Sequence, residues 1–312
     1  MAWKVTKEEP MLNDRSKFIG GSDIAAVMGV SRWQTPLSLW AEKTGKVPPK
    51  EMSEAMELGT ELEDFVARKF SRKTGLKVRK DSKTYEHPNY PYLVAHIDRR
   101  VVGTDEILEV KTCGAWKAKE WEGEEIPVEY VLQCNFYLGI LAKEKCWLAI
   151  LVGGQKFLVK HVSFDEELFR KQVEAAINFW EDCIQKDQPP LAIAADNELL
   201  VEMFPEAGPA LLEIEDPEKQ ADIDIAIERR FELLKEQEAI KEEKETIEAK
   251  LKQIVKDNSG IKTARYELAW PSNVVMLADP EKLKEDGIFE KYSKPSPRRT
   301  LRVKKIKEEK NG

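Results

Sequence analysis

Histidine is scarce in this chain of 312 residues: there are three, at 87, 96 and 161, with no ligand spacing among them. Cysteine is hardly richer. The four at 113, 134, 146 and 183 form no C-x-x-C pair and find no histidine at zinc-finger distance, which argues against a structural zinc site and against an iron–sulfur cluster. They read as reduced thiols. Apolar runs of membrane-spanning length are missing, and the opening MAWKVTKEEPM has no apolar stretch of the signal-peptide kind. The expectation is therefore a soluble, cytoplasmic protein. An excess of positive charge is missing too, since 50 Lys and Arg face 57 Asp and Glu for a net −7. That excludes a generally basic nucleic-acid coat protein. It leaves room for a local basic groove, because clustering counts for more than the sum.

What is present, up to about residue 200, is an alternation of helix-like and strand-like segments. GSDIAAVMG (21–29) reads as a short helix capped by Ser22 and stopped at Gly29, and PLSLWAEKTG (36–45) as a second. SEAMELGTELEDFVARKFSRKTG (53–75) predicts a long helix, with Leu58, Leu62, Phe65, Val66 and Phe70 at helical spacing and Gly75 as its C-cap. Strands are expected over 76–80, 92–102 and 106–112, with Gly103-Thr104-Asp105 as a tight turn between the last two. Residues 127–143 are apolar nearly all round, which predicts a buried helix. A hairpin about Gly153-Gly154 (145–164) and an amphipathic helix capped by Asp165 (165–185) follow. Past about residue 205 the composition shifts. A charged helical stretch from Pro217 to about Asp257 places Ala226, Leu233, Ile240, Ile247 and Ile254 seven apart. Arg230, Gln237 and Lys244 occupy the complementary positions, which makes a poor coiled-coil seam. An extended helix laid against its own domain and an oligomerisation rod both remain open. GIKTARYELAWP, β-like, and a basic tail, RRTLRVKKIK (298–307), close the chain.

The chemistry concentrates in DEILEVKTCG (105–114). Successive strand side chains point to opposite faces, so Glu109 and Lys111 share one and Val110 takes the other. Alone, the pair reads equally well as an exposed salt bridge. Upstream, Asp98 ends the apolar strand of LVAHIDRR. Two neighbouring strands ending in Asp and Glu-x-Lys can gather two carboxylates and an ammonium around one point. Hard oxygen ligands of that kind suit Mg²⁺, which retains waters and accepts a substrate phosphate. Such a metal lowers the pKa of a bound water, and Lys111 can orient that water, help deprotonate it, or stabilise charge on a phosphate.

The order Asp98…Glu109-x-Lys111 resembles the signature of the PD-(D/E)xK nuclease superfamily. Three further stretches narrow the resemblance: ELGTELEDF (57–65), with Gly-Thr ahead of Glu63; Gln133-x-x-x-Tyr137 in LQCNFYL; and RSKFIGGSDIAAVMG (15–29), with Arg15 seven residues before Ser22. Together, over about residues 12 to 185, they look like the phage lambda exonuclease family, and most like its YqaJ-type viral recombinase branch. The resemblance implies an α/β (α+β) fold with a restriction-endonuclease-like core, a central mixed β-sheet flanked by helices, over residues 1–200. Residues 201–312 would then be a helical extension, without counterpart in the short lambda enzyme. It implies two Mg²⁺ ions, with Mn²⁺ as a substitute, held by Glu63, Asp98, Glu109 and the carbonyl of Val110. Lys111 would be catalytic beside Glu63, Asp98 and Glu109, Gln133 and Tyr137 would complete the site, and Arg15 and Ser22 would bind the 5′-phosphate of the digested strand. The implied activity is 5′→3′ digestion of linear double-stranded DNA to leave 3′ single strands for recombination, in a bacterial or phage-infected cell. The implied assembly is a ring-shaped homotrimer working with a single-strand annealing protein. One departure is Ile97, where the family pattern has proline before the aspartate.

Plainer readings stand beside these. Glu63 is also a charged position on an amphipathic helix, and Asp98 with Arg99-Arg100 a strand-end ion cluster. Gln133 and Tyr137 are also polar groups satisfied inside a buried helix, and Arg15 with Ser22 a surface charge and an N-cap. A metal-dependent endonuclease on the same core, or a catalytically inactive DNA-end-binding or scaffold protein, would use the same fold. RKFSRKTGLKVRK (68–80) and the 298–307 tail are basic islands, read either as solvated ends or as phosphate contacts with the duplex.

Overall fold

A computed structural model of the chain describes residues 5–6, 14–48, 51–272 and 279–292. The 298–307 tail lies outside the described residues. The chain forms two compact units, Met1–Phe204 and Pro205–Gly312.

In the first unit, β1 (Val5–Thr6) and β2 (Ile19–Gly20) precede two short helices, α1 (Ile24–Val27) and α2 (Pro36–Lys43). Thr35 caps α2 in a reciprocal box with Ser38, and Pro36 takes its first position. The long helix α3 (Glu54–Thr74) starts at Ser53, whose hydroxyl accepts from the Met56 N–H, and ends at Gly75 in the left-handed conformation. Short strands β3 (Val78–Lys80), β4 (Thr84–Glu86), β5 (Leu93–Ala95) and β6 (Arg99–Val101) lead to β7 (Glu106–Cys113). Then come α4 (Val128–Leu141), β8 (Lys145–Val152), β9 (Lys156–Ser163), α5 (Glu166–Asn178) and α6 (Asn197–Met203). Asp165 caps α5 through the Leu168 N–H, and a π-helical turn at Phe179–Ile184 continues it.

Five strands make the main sheet, in the order β3-β6-β7-β8-β9. It is mixed: β7 and β8 run parallel, in the register Glu109↔Leu148 and Lys111↔Ile150, while the other pairs are antiparallel. A parallel pair needs a crossover, and the buried α4 is that crossover. A second sheet, β1-β4-β5-β2, carries the N-terminal strands. The 92–102 stretch, expected as one strand, is therefore two. β5 belongs to the small sheet and β6 to the main one, with Asp98 in the break between them. Side-chain pattern does not reveal which sheet a strand joins, although β5 buries all three of its residues and β6 only Arg99 and Val101.

The main sheet is packed on both faces. Leu108, Val110, Ala149 and Leu151 meet Val66, Ala67 and Phe70 of α3 on one side. Ile107, Cys146, Leu148 and Ile150 join the larger core, with Leu132, Phe136 and Ile140 of α4, on the other. Glu109 and Lys111 therefore point toward α4, and α3 lies behind them.

The second unit is led by α7 (Pro217–Val255), capped by Asp216. Its seven-spaced Leu233, Ile240, Ile247 and Ile254 are 48–67% exposed. β10 (Gly260–Lys262) and β11 (Glu267–Ala269) form an antiparallel hairpin. No helix among the described residues is long and apolar enough to cross a membrane.

Phe70 is fully buried between α3 and the sheet, 5.9 Å from the ring of Trp147. Phe70→Ala should lower stability by about 3–5 kcal/mol through lost burial and a residual cavity. A urea titration would show this as a lower midpoint at unchanged slope.

Candidate active site

The break after β5 turns Asp98 toward β7, where its Oδ2 accepts a 2.7 Å hydrogen bond from the Val110 N–H. On β7 itself, Glu109 Oε1 accepts from Lys111 Nζ at 2.7 Å and from Gln133 Nε2 at 2.8 Å. Gln133 also donates to the Tyr137 hydroxyl, 3.0 Å away and one turn along α4. The other oxygen of Glu109, Oε2, is buried and has no hydrogen-bond partner among the described residues. A buried carboxylate oxygen without a partner is costly, and it marks a position where a cation or donor fits.

The electrostatics point the same way. Burial, then the negative charge of Glu109, pushes Asp98 up to about 8, against the opposing pull of Lys111 and the Val110 N–H. Burial would lower Lys111, but Glu109 and Asp98 outweigh it and hold the ammonium protonated well above its ordinary range. Tyr137 is raised well above its ordinary value by burial and by Glu109. Lys111 pairs with Glu109, and the neighbouring Asp98 avoids their mutual repulsion by holding its proton more tightly.

Glu63 does not join them directly. It lies on α3, behind the sheet, and pairs with Arg99, whose guanidinium also contacts Asp64 and the Asp98 carbonyl. Arg99 stands opposite Leu108 in the register, so it shares that strand's α3 face. The charge of Glu63 nevertheless reaches Asp98 and adds to its upward shift. Arg99 was legible in the sequence only as half of an Arg-Arg pair at a strand end. Among the described residues no group of three or more His, Cys, Asp or Glu side chains is gathered to hold a metal. The carboxylates that could hold a divalent ion here are Asp98 and Glu109, which the Val110 N–H and Lys111 bring into one cluster. That set fits Mg²⁺, which takes one or two protein carboxylates and leaves the remaining places to water and phosphate.

Arg15 and Ser22 do meet. Arg15 Nη2 donates to Ser22 Oγ at 3.0 Å and to Asp23 Oδ1 at 2.8 Å. Ser22 does not cap a helix, contrary to expectation: it sits in a turn, α1 starts at Ile24, and it spans four residues. The organising residue, unremarked in the sequence, is Asp23. It is buried, accepts from the Gly20 N–H, and pairs with Lys43 at 3.0 Å. Lys43 is itself buried and gives its remaining donors to the carbonyls of Arg15 and Phe18. Burial would raise Asp23, but Lys43 and Arg15 hold it below the usual carboxylate range.

Gly21 ties the two clusters together. A Cβ there would stand 2.3 Å from the Tyr137 ring, so the Gly20–Asp23 turn can rest on the tyrosine only without a side chain. Toward solvent, Lys111 lies 5.4 Å over the ring of Tyr130, and Trp33 tilts against that ring at 5.9 Å. His96 pairs with Thr84 and packs edge-on against Phe18 beside the Asp23 cluster, while His87 and His161 pack against aromatic rings elsewhere.

The sequence profile of the YqaJ-like viral recombinase domain matches residues 11–144. Over 306 residues, 95% of this chain and 93% of its relative, the sequence is 36% identical to the uncharacterized protein YqaJ of Bacillus subtilis (strain 168). Among solved structures, the chain is similar to an alkaline exonuclease (LHK-Exo) from Laribacter hongkongensis. That match has a TM-score of 0.49 and 20% identity, over 56% of this chain and 91% of that one. It is also similar to a phage related exonuclease from Haemophilus somnus 129PT, with a TM-score of 0.41 and 13% identity over 55% and 96% of the two chains.

Asp23→Asn would leave Lys43 buried without its countercharge, and should cost about 3–5 kcal/mol. Because Asp23 is held below its ordinary value, the stabilisation is complete at neutral pH and is lost as pH falls below about 4. Chemical denaturation at pH 7 and pH 3 would show a wide gap between wild type and variant at the first and a narrower one at the second.

Proposed function

The chain belongs to the YqaJ family, and from that premise we propose that it is a divalent-metal-dependent deoxyribonuclease acting as a 5′→3′ exonuclease on linear double-stranded DNA. The observation that carries the reading is the unpartnered Oε2 of Glu109 in the same cluster as Asp98, with Lys111 paired to the other oxygen of that glutamate. The product would be 3′ single strands for recombination by annealing. A homotrimer and a single-strand annealing partner belong to the same reading.

Asp98, Glu109 and the Val110 carbonyl would hold Mg²⁺, which when bound supplies Lewis acidity and a bound water of lowered pKa. Gln133 and Lys111 both donate to Oε1 of Glu109, which fixes the carboxylate and leaves Oε2 for that ion. The Val110 N–H orients Asp98 in the same way. Tyr137, accepting from Gln133, keeps the amide aimed at Glu109. Lys111 presents an ammonium beside the carboxylates, where it offsets charge building on a phosphate oxygen in the transition state. Glu63 acts from behind the sheet through Arg99, or joins the ions once that pair opens. Among the described residues Arg15 uses only Nη2, on Ser22 and Asp23, so its remaining donors and the Ser22 hydroxyl suit a terminal 5′-phosphate.

The test is digestion of linear 5′-phosphorylated duplex with Mg²⁺, beside closed circular DNA and the Lys111→Ala protein. Wild type should shorten the linear duplex from its 5′ ends and spare the circle. Lys111→Ala should lose on the order of 10²-fold or more in rate. Cutting of the circle would make the protein an endonuclease. No cleavage of either substrate with Mg²⁺ or Mn²⁺ would leave a DNA-end-binding protein on this fold.

A further inference from the structure

Beyond the site, the C-terminal half of α3 carries an unexplained charge cluster. Arg68, Lys69, Arg72 and Lys73 place four exposed cations within six residues of a chain whose net charge is −7. Among the described residues none of the four has a carboxylate partner, whereas Glu63 and Asp64, earlier on the same helix, are paired. Arg72 and Lys73 lie in the last turn, where cations complement the helix dipole. That accounts for two of the four, and it does not account for the aromatic rings among them.

Phe65 stands 46% exposed on α3, two residues past Glu63. Across from it, Phe157 of β9 receives Lys69 and Lys73, with their ammonium groups 5.7 and 5.6 Å from its ring centre. Lys73 also donates to the Phe157 carbonyl at 3.4 Å. These residues, with Arg68, Arg72 and Gln155, line one open groove of about 700 Å³. From Phe65 to Lys73 the helix rises about 12 Å.

We propose that this groove is a binding track for single-stranded DNA, with the phosphates on the four cations and unpaired bases against Phe65 and Phe157. Cations alone would suit any polyanion. The two rings decide for a single strand, because a duplex keeps its base faces stacked inside, whereas aromatic rings in a basic groove stack on unpaired bases. The assignment rests on the nucleic-acid reading of the active site and adds a place for the strand that a nuclease of this kind leaves undigested.

The test measures binding of a fluorescent oligodeoxythymidylate, and separately of a blunt duplex, to the full chain in EDTA across a salt series. Wild type should bind the single strand with a salt-dependent constant. Lys69→Gln/Lys73→Gln should weaken that binding about tenfold or more at physiological salt and reduce the log–log salt slope by roughly 1.4, two contacts at about 0.7 each. Phe65→Ala should weaken it at least about fivefold with the slope unchanged. All three side chains are at or near the surface, and circular dichroism and the urea midpoint would confirm unchanged folding. A slope unaffected by the lysine pair, or affinity unaffected by Phe65→Ala, overturns the proposal. So does an equal loss for the duplex, which would make the groove a duplex contact. EDTA removes cleavage from the readout. Intact single-strand binding without nuclease activity would therefore sink only the catalytic reading, and intact nuclease activity with no loss in these variants would sink only this one.

Discussion

Two carboxylates brought together inside a β-sheet repel each other, and the fold around Asp98 and Glu109 is arranged to hold them there. The break between β5 and β6 lets Asp98 leave one sheet and reach the neighbouring strand of the other, where a backbone N–H fixes it. Lys111 and Gln133 then occupy one oxygen of Glu109 and leave the second bare. The consequence is a carboxyl group at Asp98 lifted to about 8 by burial and by its neighbour. A buried carboxyl held against its neighbour's charge costs stability, and Asp98 lessens that cost by keeping its proton at neutral pH. The arrangement makes sense where positive charge arrives from outside.

Asp23 supplies the contrast within the same unit. It too is buried, but Lys43, Arg15 and the Gly20 N–H surround it, and its pKa moves down instead of up. Lys43 in turn has three acceptors for its three donors. The Asp23 network is closed and reads as scaffolding, fastening the turn that carries Ser22 and rests on Tyr137. The Glu109 network is open at one oxygen. Burial and charge alone would not separate the two; the count of partners does.

Much of this was legible in the sequence where a local rule was at work. Period two put Glu109 and Lys111 on one face, and the i, i+4 spacing of Gln133 and Tyr137 let their side chains meet. Gly75 and Asp165 announced their caps. Ser22 misled because a serine ahead of an apolar run is the usual N-cap signal, and nothing local says that the turn runs on to Asp23 before the helix begins. The split at Asp98 was invisible for a different reason: which sheet a strand joins is a long-range property. The side of the sheet on which Glu63 lies was hidden for the same reason. The exposed stripe of α7 shows the converse limit, since a seven-residue repeat says which residues align and not whether anything covers them.

The position of Glu63 depends on how closely α3 approaches the sheet. Gly59 lies over Thr112, and a Cβ there would come within 3.3 Å of the threonine hydroxyl, so the first turns of α3 press onto the end of the strand that carries Glu109 and Lys111. One turn later Glu63 finds Arg99, and Arg99 also donates to the carbonyl of Asp98. A guanidinium so placed both neutralises Glu63 and touches the backbone at the break that positions Asp98. Glu63 and the Asp98–Glu109 pair are therefore coupled through one arginine. Loss of that arginine would remove both the countercharge of Glu63 and a donor to the backbone that carries Asp98.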